Sequence, residues 1–168
     1  MSLRELGDVG PSGELDHTGK QRLFQLPDGL VGTAVGVRQV HSRKVAVVAP
    51  TGTPDAEEAD GLIAAEAGFT LTITVADCMP ILLMDRRRVA YGLLHSGWRG
   101  TGILAEAVDL LGSRFHTDPQ DLTAVFGPCI CAACYAVSAE RALYFRREFG
   151  EASAVERSGT WFLDLREA

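Results

Sequence analysis

Apolar and polar positions along this chain change period several times, and each change marks an element. From Val89 to Leu94 the residues are almost uniformly apolar, as a buried strand requires. From Gly102 to Phe115 the apolar residues Ile103, Leu104, Ala107, Leu110, Leu111 and Phe115 recur at spacings of three and four, which predicts one buried face of a helix. Between the two lies the polar turn His95-Ser-Gly-Trp-Arg-Gly-Thr101. Gly97 and Gly100 let the backbone bend and a ligand come close, while Thr101 is expected to cap the helix, leaving free N–H groups and the positive helix end beside Arg99. Such a place suits an anion, most naturally phosphate.

The rest of the pattern is dominated by strands. Val31 to Val40 and Lys44 to Val48 are rich in Val and flank Gln39-Val-His-Ser42, which puts His41 at a strand end. A Pro- and Gly-containing loop from Pro50 to Glu58 leads to Asp60-Gly61, read as a turn into a short strand. Thr70 to Val75 and Ile81 to Met84 are two more strands, and Pro80 forces extended backbone on its neighbour, so Asp77 and Cys78 are displayed at the junction between them. Beyond the first helix, Asp118-Pro119 predicts a single capped turn, Leu122 to Phe126 a strand ended by Gly127-Pro128, and Ser138 the cap of a second helix to Phe149. In that helix Ala142, Phe145 and Phe149 form the apolar stripe, and Thr160 to Leu165 is a final strand. Residues 1 to 28 are Gly-, Asp- and Ser-rich and are expected to be loosely ordered, with at most a short strand at Leu23 to Leu26. No repeat or linker divides the remainder, residues 29 to 168. The expectation is one α/β (α+β) domain with a mixed β-sheet and flanking helices.

Composition narrows the choice of partner. The formal net charge is -6, and beyond Arg86-Arg87-Arg88 and a short group at Arg141, Arg146 and Arg147 no basic stripe stands out, so nucleic acid is not expected. No apolar run approaches the roughly 20 residues of a membrane helix, and no secretory signal is evident, which makes the cytoplasm the default compartment. In that setting Cys78, Cys129, Cys131 and Cys134 are thiols or metal ligands rather than a disulfide framework.

His41, Cys78 and His95, each beside a strand end, are a candidate open metal site, with three protein ligands and a fourth position left for water or substrate. Asp77 is a candidate base or a partner that orients a ligating His, and equally a turn former. Cys78 with His95 or His41 also has the composition of a nucleophile pair, which leaves a cysteine-dependent hydrolase open. The group Cys129-x-Cys131-x-x-Cys134 has thiols enough for a second metal, with His116 as a remote fourth ligand, or is a set of buried, inert thiols.

Five ordered blocks go further: Gln39-Val-His41, Ala59-Asp-Gly-Leu62, Ala76-Asp-Cys-Met-Pro80, His95-Ser-Gly-Trp-Arg-Gly-Thr101, and Gly127-Pro128 followed by Cys134-Tyr135-Ala-Val137. Over roughly residues 38 to 137 the chain thereby resembles the laccase-domain family, once called multicopper polyphenol oxidases and also described as purine nucleoside phosphorylases. Phe162-Leu-Asp-Leu165 looks like a sixth block. The resemblance implies a zinc site at His41, Cys78 and His95, with copper a lesser alternative, and phosphorolysis of adenosine, inosine and methylthioadenosine with adenosine deamination alongside. From the residues themselves Asp77 and Arg99 are the catalytic candidates and Arg99, Gly100 and Thr101 the candidate phosphate site. Taken with the resemblance, the expected partners are small-molecule purine nucleosides and phosphate, with oligomeric state undetermined. Four histidines cannot furnish the ligands of a blue-copper site plus a trinuclear cluster, so the oxidase name fits the residues poorly. The family's usual Arg- and Gly-Gly-bearing opening finds no match in residues 1 to 30, and the chain stops at Ala168 where the family continues. A non-catalytic metal-binding domain of the same fold is the alternative these departures suggest.

Overall fold

The structure, a computed structural model, describes residues 33–56, 58–87 and 89–168. Its centre is a five-stranded mixed sheet in the order β2-β3-β6-β5-β7, built from β2 (Val45–Val47), β3 (Gly61–Ala64), β5 (Met79–Asp85), β6 (Tyr91–Ser96) and β7 (Leu122–Phe126). Strands β2 and β3 run parallel and every other pair in the sheet is antiparallel. A parallel pair, β1 (Thr33–Gly36) with β4 (Phe69–Thr72), forms a second sheet. The third is antiparallel, β8 (Ala136–Val137), β10 (Thr160–Leu163) and β9 (Ala154–Arg157) in that order. Helix α1 (Ile103–Phe115) packs on β6, β2 and β3, and α2 (Ala139–Phe149) packs on β9 and β10.

Burial explains why the strands read as they do. Leu62 and Ile63 are adjacent in β3 and point to opposite faces, yet both are fully buried. Ile63 joins Ile81, Leu83, Leu94, the α1 stripe Ile103, Ala107 and Leu111, and Phe145 of α2 in the main core. Leu62 joins Val35, Ala46 and Val48, with Phe69 and Leu71 of β4 packed against them, on the other side. A strand covered on both faces has no polar alternation to show. In β5 the period of two survives, with Ile81 and Leu83 buried and Leu82 and Met84 exposed, because there only one face is covered.

The expected mixed α+β architecture stands, with several sheets in place of one. The Thr70 to Val75 strand ends at Thr72, because Gln39 captures the next segment: its side chain donates to the Thr74 carbonyl at 2.9 Å and accepts from the Thr74 N–H at 2.6 Å. Strands β8 and β9 were not anticipated, since two residues and the sequence Ala-Val-Glu-Arg carry too little pattern. The final strand stops at Leu163 rather than Leu165. The α2 cap is as expected, Ser138 Oγ accepting from the Arg141 N–H at 3.4 Å, and Asp118 caps the short turn at Pro119–Asp121. The segment at Leu23 to Leu26 and the character of residues 1 to 28 lie outside the described residues. Among the described residues no helix is long and apolar enough to cross a membrane.

Candidate metal centre and active site

The site is assembled around a carboxylate. Asp60, at the entry to β3, is fully buried and accepts hydrogen bonds from three successive backbone N–H groups: Val40 at 3.3 Å, His41 at 2.9 Å and Ser42 at 2.6 Å. The Ser42 hydroxyl adds a fourth at 2.8 Å, and His95 Nδ1 lies 2.9 Å from Oδ1. The Asp60 carbonyl accepts the His95 N–H at 2.7 Å, so one residue ties together the 40–42 loop, β3 and the end of β6. That clamp holds His41 in the left-handed region at φ 59°, a conformation a non-glycine residue keeps only when its surroundings enforce it. Burial works against the charge on Asp60, yet the hydrogen bonds from His95, Ser42 and His41 outweigh it and bring the pKa down to about 2. For His95 burial again opposes charge, and the hydrogen bonds and charges of Asp60 and Cys78 raise the metal-free imidazole to about 9.

By sequence pattern Asp60 is a turn residue and Asp77 the candidate to orient a histidine. The roles fall otherwise. Asp77 is exposed and its carbonyl accepts the Ile130 N–H, while Asp60 fixes the His95 ring and occupies its Nδ1. Nε2 is then the nitrogen left for a metal, the arrangement that a carboxylate behind a ligating histidine enforces. A visible signal was available in an acidic residue set in an otherwise apolar stretch, Ala59-Asp-Gly-Leu-Ile63.

His41, Cys78 and His95 do converge, their ligand atoms all lying within 4.8 Å of one another. The two imidazoles stand edge to face, 5.0 Å between centroids and 75° between planes. Gly97 completes the cradle: a Cβ there would sit 2.7 Å from Cys78 Sγ and 3.6 Å from the His41 ring, so the position must lack a side chain for the sulfur to occupy its place. Two imidazoles and one thiol, close together and backed by a buried carboxylate, fit a zinc ion with an open fourth position, and lack the many histidines of multicopper chemistry.

The turn after His95 differs from expectation. Thr101 is buried, but its hydroxyl donates to the Gly97 carbonyl at 2.8 Å and caps no helix. The N-cap of α1 is Gly102, at φ 96° and with no side-chain cap, and the Ile103 and Ala105 N–H groups are taken by the Gly100 and Gly102 carbonyls. The helix start is thus a poorer anion cradle than the sequence suggested. Gly100 is buried against the Ser42 and His95 carbonyls, where a Cβ would meet backbone at 2.8 Å and 3.3 Å. Arg99 is exposed, its guanidinium 4.9 Å from the centre of the Trp98 ring, and Arg141 lies over the same ring at 4.2 Å. Trp98 and Arg141, with Ser138, Glu140 and Tyr144, line a cleft of about 280 Å³.

The remaining thiols stay apart from this centre. Among the described residues His41, Cys78 and His95 are the one group placed to hold a metal; Cys129, Cys131 and Cys134 do not converge in that way, and His116 closes the C-terminal end of α1. Cys131 and Cys134 are exposed and Cys129 half-buried, so the picture of buried, inert thiols fails for two of the three.

Comparison with known proteins places the chain. The family described as multi-copper polyphenol oxidoreductase laccase matches residues 19–168. The purine nucleoside phosphorylase YlmD of Geobacillus stearothermophilus is 38% identical over 115 residues, 65% of this chain and 42% of that protein. A purine nucleoside phosphorylase of Xylella fastidiosa is 32% identical over 160 residues, 87% of this chain and 58% of that protein. In three dimensions the crystal structure of YlmD is similar with a TM-score of 0.77 at 32% identity, over 89% of this chain and 60% of that one. Bacillus licheniformis YfiH, described as a hypothetical protein, gives 0.78 at 27% identity. The chain therefore spans about half the length of the relatives it matches.

Proposed function

The chain belongs to the multi-copper polyphenol oxidoreductase laccase family, and from that membership and the site geometry we propose that it is a zinc-dependent purine nucleoside phosphorylase acting on adenosine, inosine and methylthioadenosine, with adenosine deamination as a second reaction in the same pocket. The observation that carries the proposal is the convergence of His41, Cys78 and His95 with Asp60 behind them, in a chain whose relatives bear the phosphorylase name. Those three residues would hold the metal, which supplies Lewis acidity and a lowered water pKa when bound.

The chain's own groups have separable tasks. In phosphorolysis a phosphate oxygen bonds to the ribose carbon as the bond from that carbon to the purine nitrogen breaks. Arg99, exposed and forked, is assigned to hold the phosphate in two parallel hydrogen bonds, with Gly100 and Thr101 shaping the turn that presents it. Asp77, exposed beside Cys78, is assigned as the carboxylate that accepts a proton from the water adding to the purine carbon in deamination and returns it to the amino group, which leaves as ammonia when the C–N bond breaks. Asp60 keeps the His95 ring in one tautomer throughout.

The test incubates purified protein with adenosine, with and without phosphate, and resolves adenine, hypoxanthine and inosine. Adenine that appears only with phosphate supports phosphorolysis, and inosine formed without phosphate supports deamination. Bound metal with no product under any condition overturns the enzymatic reading in favour of a non-catalytic metal-binding domain.

A further inference from the structure

The loop between β7 and β8 carries three thiols for which phosphorolysis has no use. Two of them face each other: Cys131 Sγ and Cys134 Sγ are 2.7 Å apart, and both residues are exposed. The Cys134 N–H donates to the Cys131 carbonyl at 2.9 Å, closing a four-residue turn. A turn of that kind keeps its end Cα atoms within about 7 Å, which overlaps the roughly 4.4–6.8 Å that a disulfide spans. The sulfurs need only close to about 2.05 Å, so the bond can form with little backbone movement.

We propose that Cys131 and Cys134 are a reversible dithiol–disulfide pair, a redox-modification site distinct from the metal centre. Hydroperoxides are the oxidants it takes and small thiols the reductants. Cys131 is the attacking sulfur: its hydrogen bonds with the Cys134 thiol, and with the backbone N–H groups of Cys134 and Ala133, outweigh desolvation and lower its pKa, while the same shared hydrogen bond raises that of Cys134. The Cys131 thiolate attacks one peroxide oxygen, the O–O bond breaks, and the departing oxygen takes up a proton to leave as water or alcohol. Cys134 then attacks the sulfenic sulfur, an S–S bond replaces the S–O bond, and the oxygen leaves as water with the second proton. Two thiols and one hydrogen peroxide thus give one disulfide and two waters. Two equivalents of a small thiol reverse it by exchange.

Access and position support the assignment. A cleft of about 310 Å³ lined by Phe126, Cys129, Cys131 and Arg166 opens along the same loop, which gives a small reagent an approach. The loop is anchored to the metal-site segment at two points, the Ile130 N–H to the Asp77 carbonyl at 2.9 Å and the Gly127 N–H to the Pro80 carbonyl at 2.8 Å. Cys129 is the thiol the pair excludes: Cys131 and Cys134 face each other, whereas Cys129 is half-buried, and that burial pushes its thiol up from the usual range.

The experiment treats the full chain, with whatever metal it carries on purification, with stoichiometric hydrogen peroxide, blocks free thiols with an alkylating agent, and maps the peptides without reduction. The expected result is the loss of two alkylatable thiols per chain, one Cys131–Cys134 crosslink that dithiothreitol reverses, and unchanged labelling of Cys129. Cys134→Ser should abolish the crosslink and leave a sulfenic acid on Cys131 that dimedone traps; Cys131→Ser should lose both. A crosslink to Cys129 or Cys78, or Cys131 and Cys134 both still alkylated after peroxide, overturns the proposal. Because the bond itself is read, the outcome does not depend on nucleoside turnover.

Discussion

The two sulfur-bearing loops of this protein lie on neighbouring segments and have opposite designs. Cys78 sits beside two imidazoles, against a glycine that leaves room for its sulfur, and the His95 ring beside it is held from behind by a buried carboxylate. Cys131 and Cys134 sit on an exposed turn with each other as the nearest partner. On the assignments proposed above, a thiol's chemistry is set by what the fold fixes around it: nitrogen donors beside Cys78 suit it to bind a metal, whereas a second thiol in the open suits Cys131 to redox exchange.

The largest way to break the comparison is at Asp60. Asp60→Ala strips the acceptor from three backbone N–H groups, a hydroxyl and His95, all at a buried position, and should cost about 3–5 kcal/mol, with metal retention lost as well. Denaturant titration and metal content of the purified variant check it, and a loss under about 1 kcal/mol would mean that Asp60 is no hub. Next is ligand removal: His95→Ala should fall well below one equivalent of metal, while Arg99→Ala keeps the metal and loses about tenfold or more in phosphate-dependent turnover. A His95→Ala protein with a full equivalent of zinc would remove His95 from the site.

Gly97→Ala sharpens the same contrast, because its Cβ would lie 2.7 Å from Cys78 Sγ and must displace the sulfur. A reduction of about 10- to 100-fold in metal affinity, measured by competition with a chelating dye, is the expected result, on the scale of losing support around a ligand. Unchanged affinity would show that the cradle tolerates a methyl group. The smallest effect belongs to the exposed turn: Cys134→Ser should leave the melting temperature and metal content of the reduced protein unaltered, as surface substitutions usually do. A marked drop in either would tie the turn to the metal centre.

Much of this was legible in the sequence because the relevant physics is local. The spacing of Ile103, Ala107 and Leu111 requires a helix with one buried face, and Ser138 announces the start of another, whatever lies nearby. The residue types of the candidate metal site, His41, Cys78 and His95, are visible with their ordered surrounding blocks. Their meeting within 4.8 Å was not, since residues 37 and 54 positions apart are brought together only when β3, β5 and β6 pair. Thr101 shows the same limit: a hydroxyl before a helix has two nearby uses, and the tight packing of Gly100 against Ser42 and His95 decides that it bonds back to Gly97. Asp60 is the clearest case. Asp-Gly beside a loop has the local chemistry of a turn, and only the tertiary structure, by wrapping residues 40–42 around that carboxylate and setting His95 against it, makes it the buried charge on which the site is built.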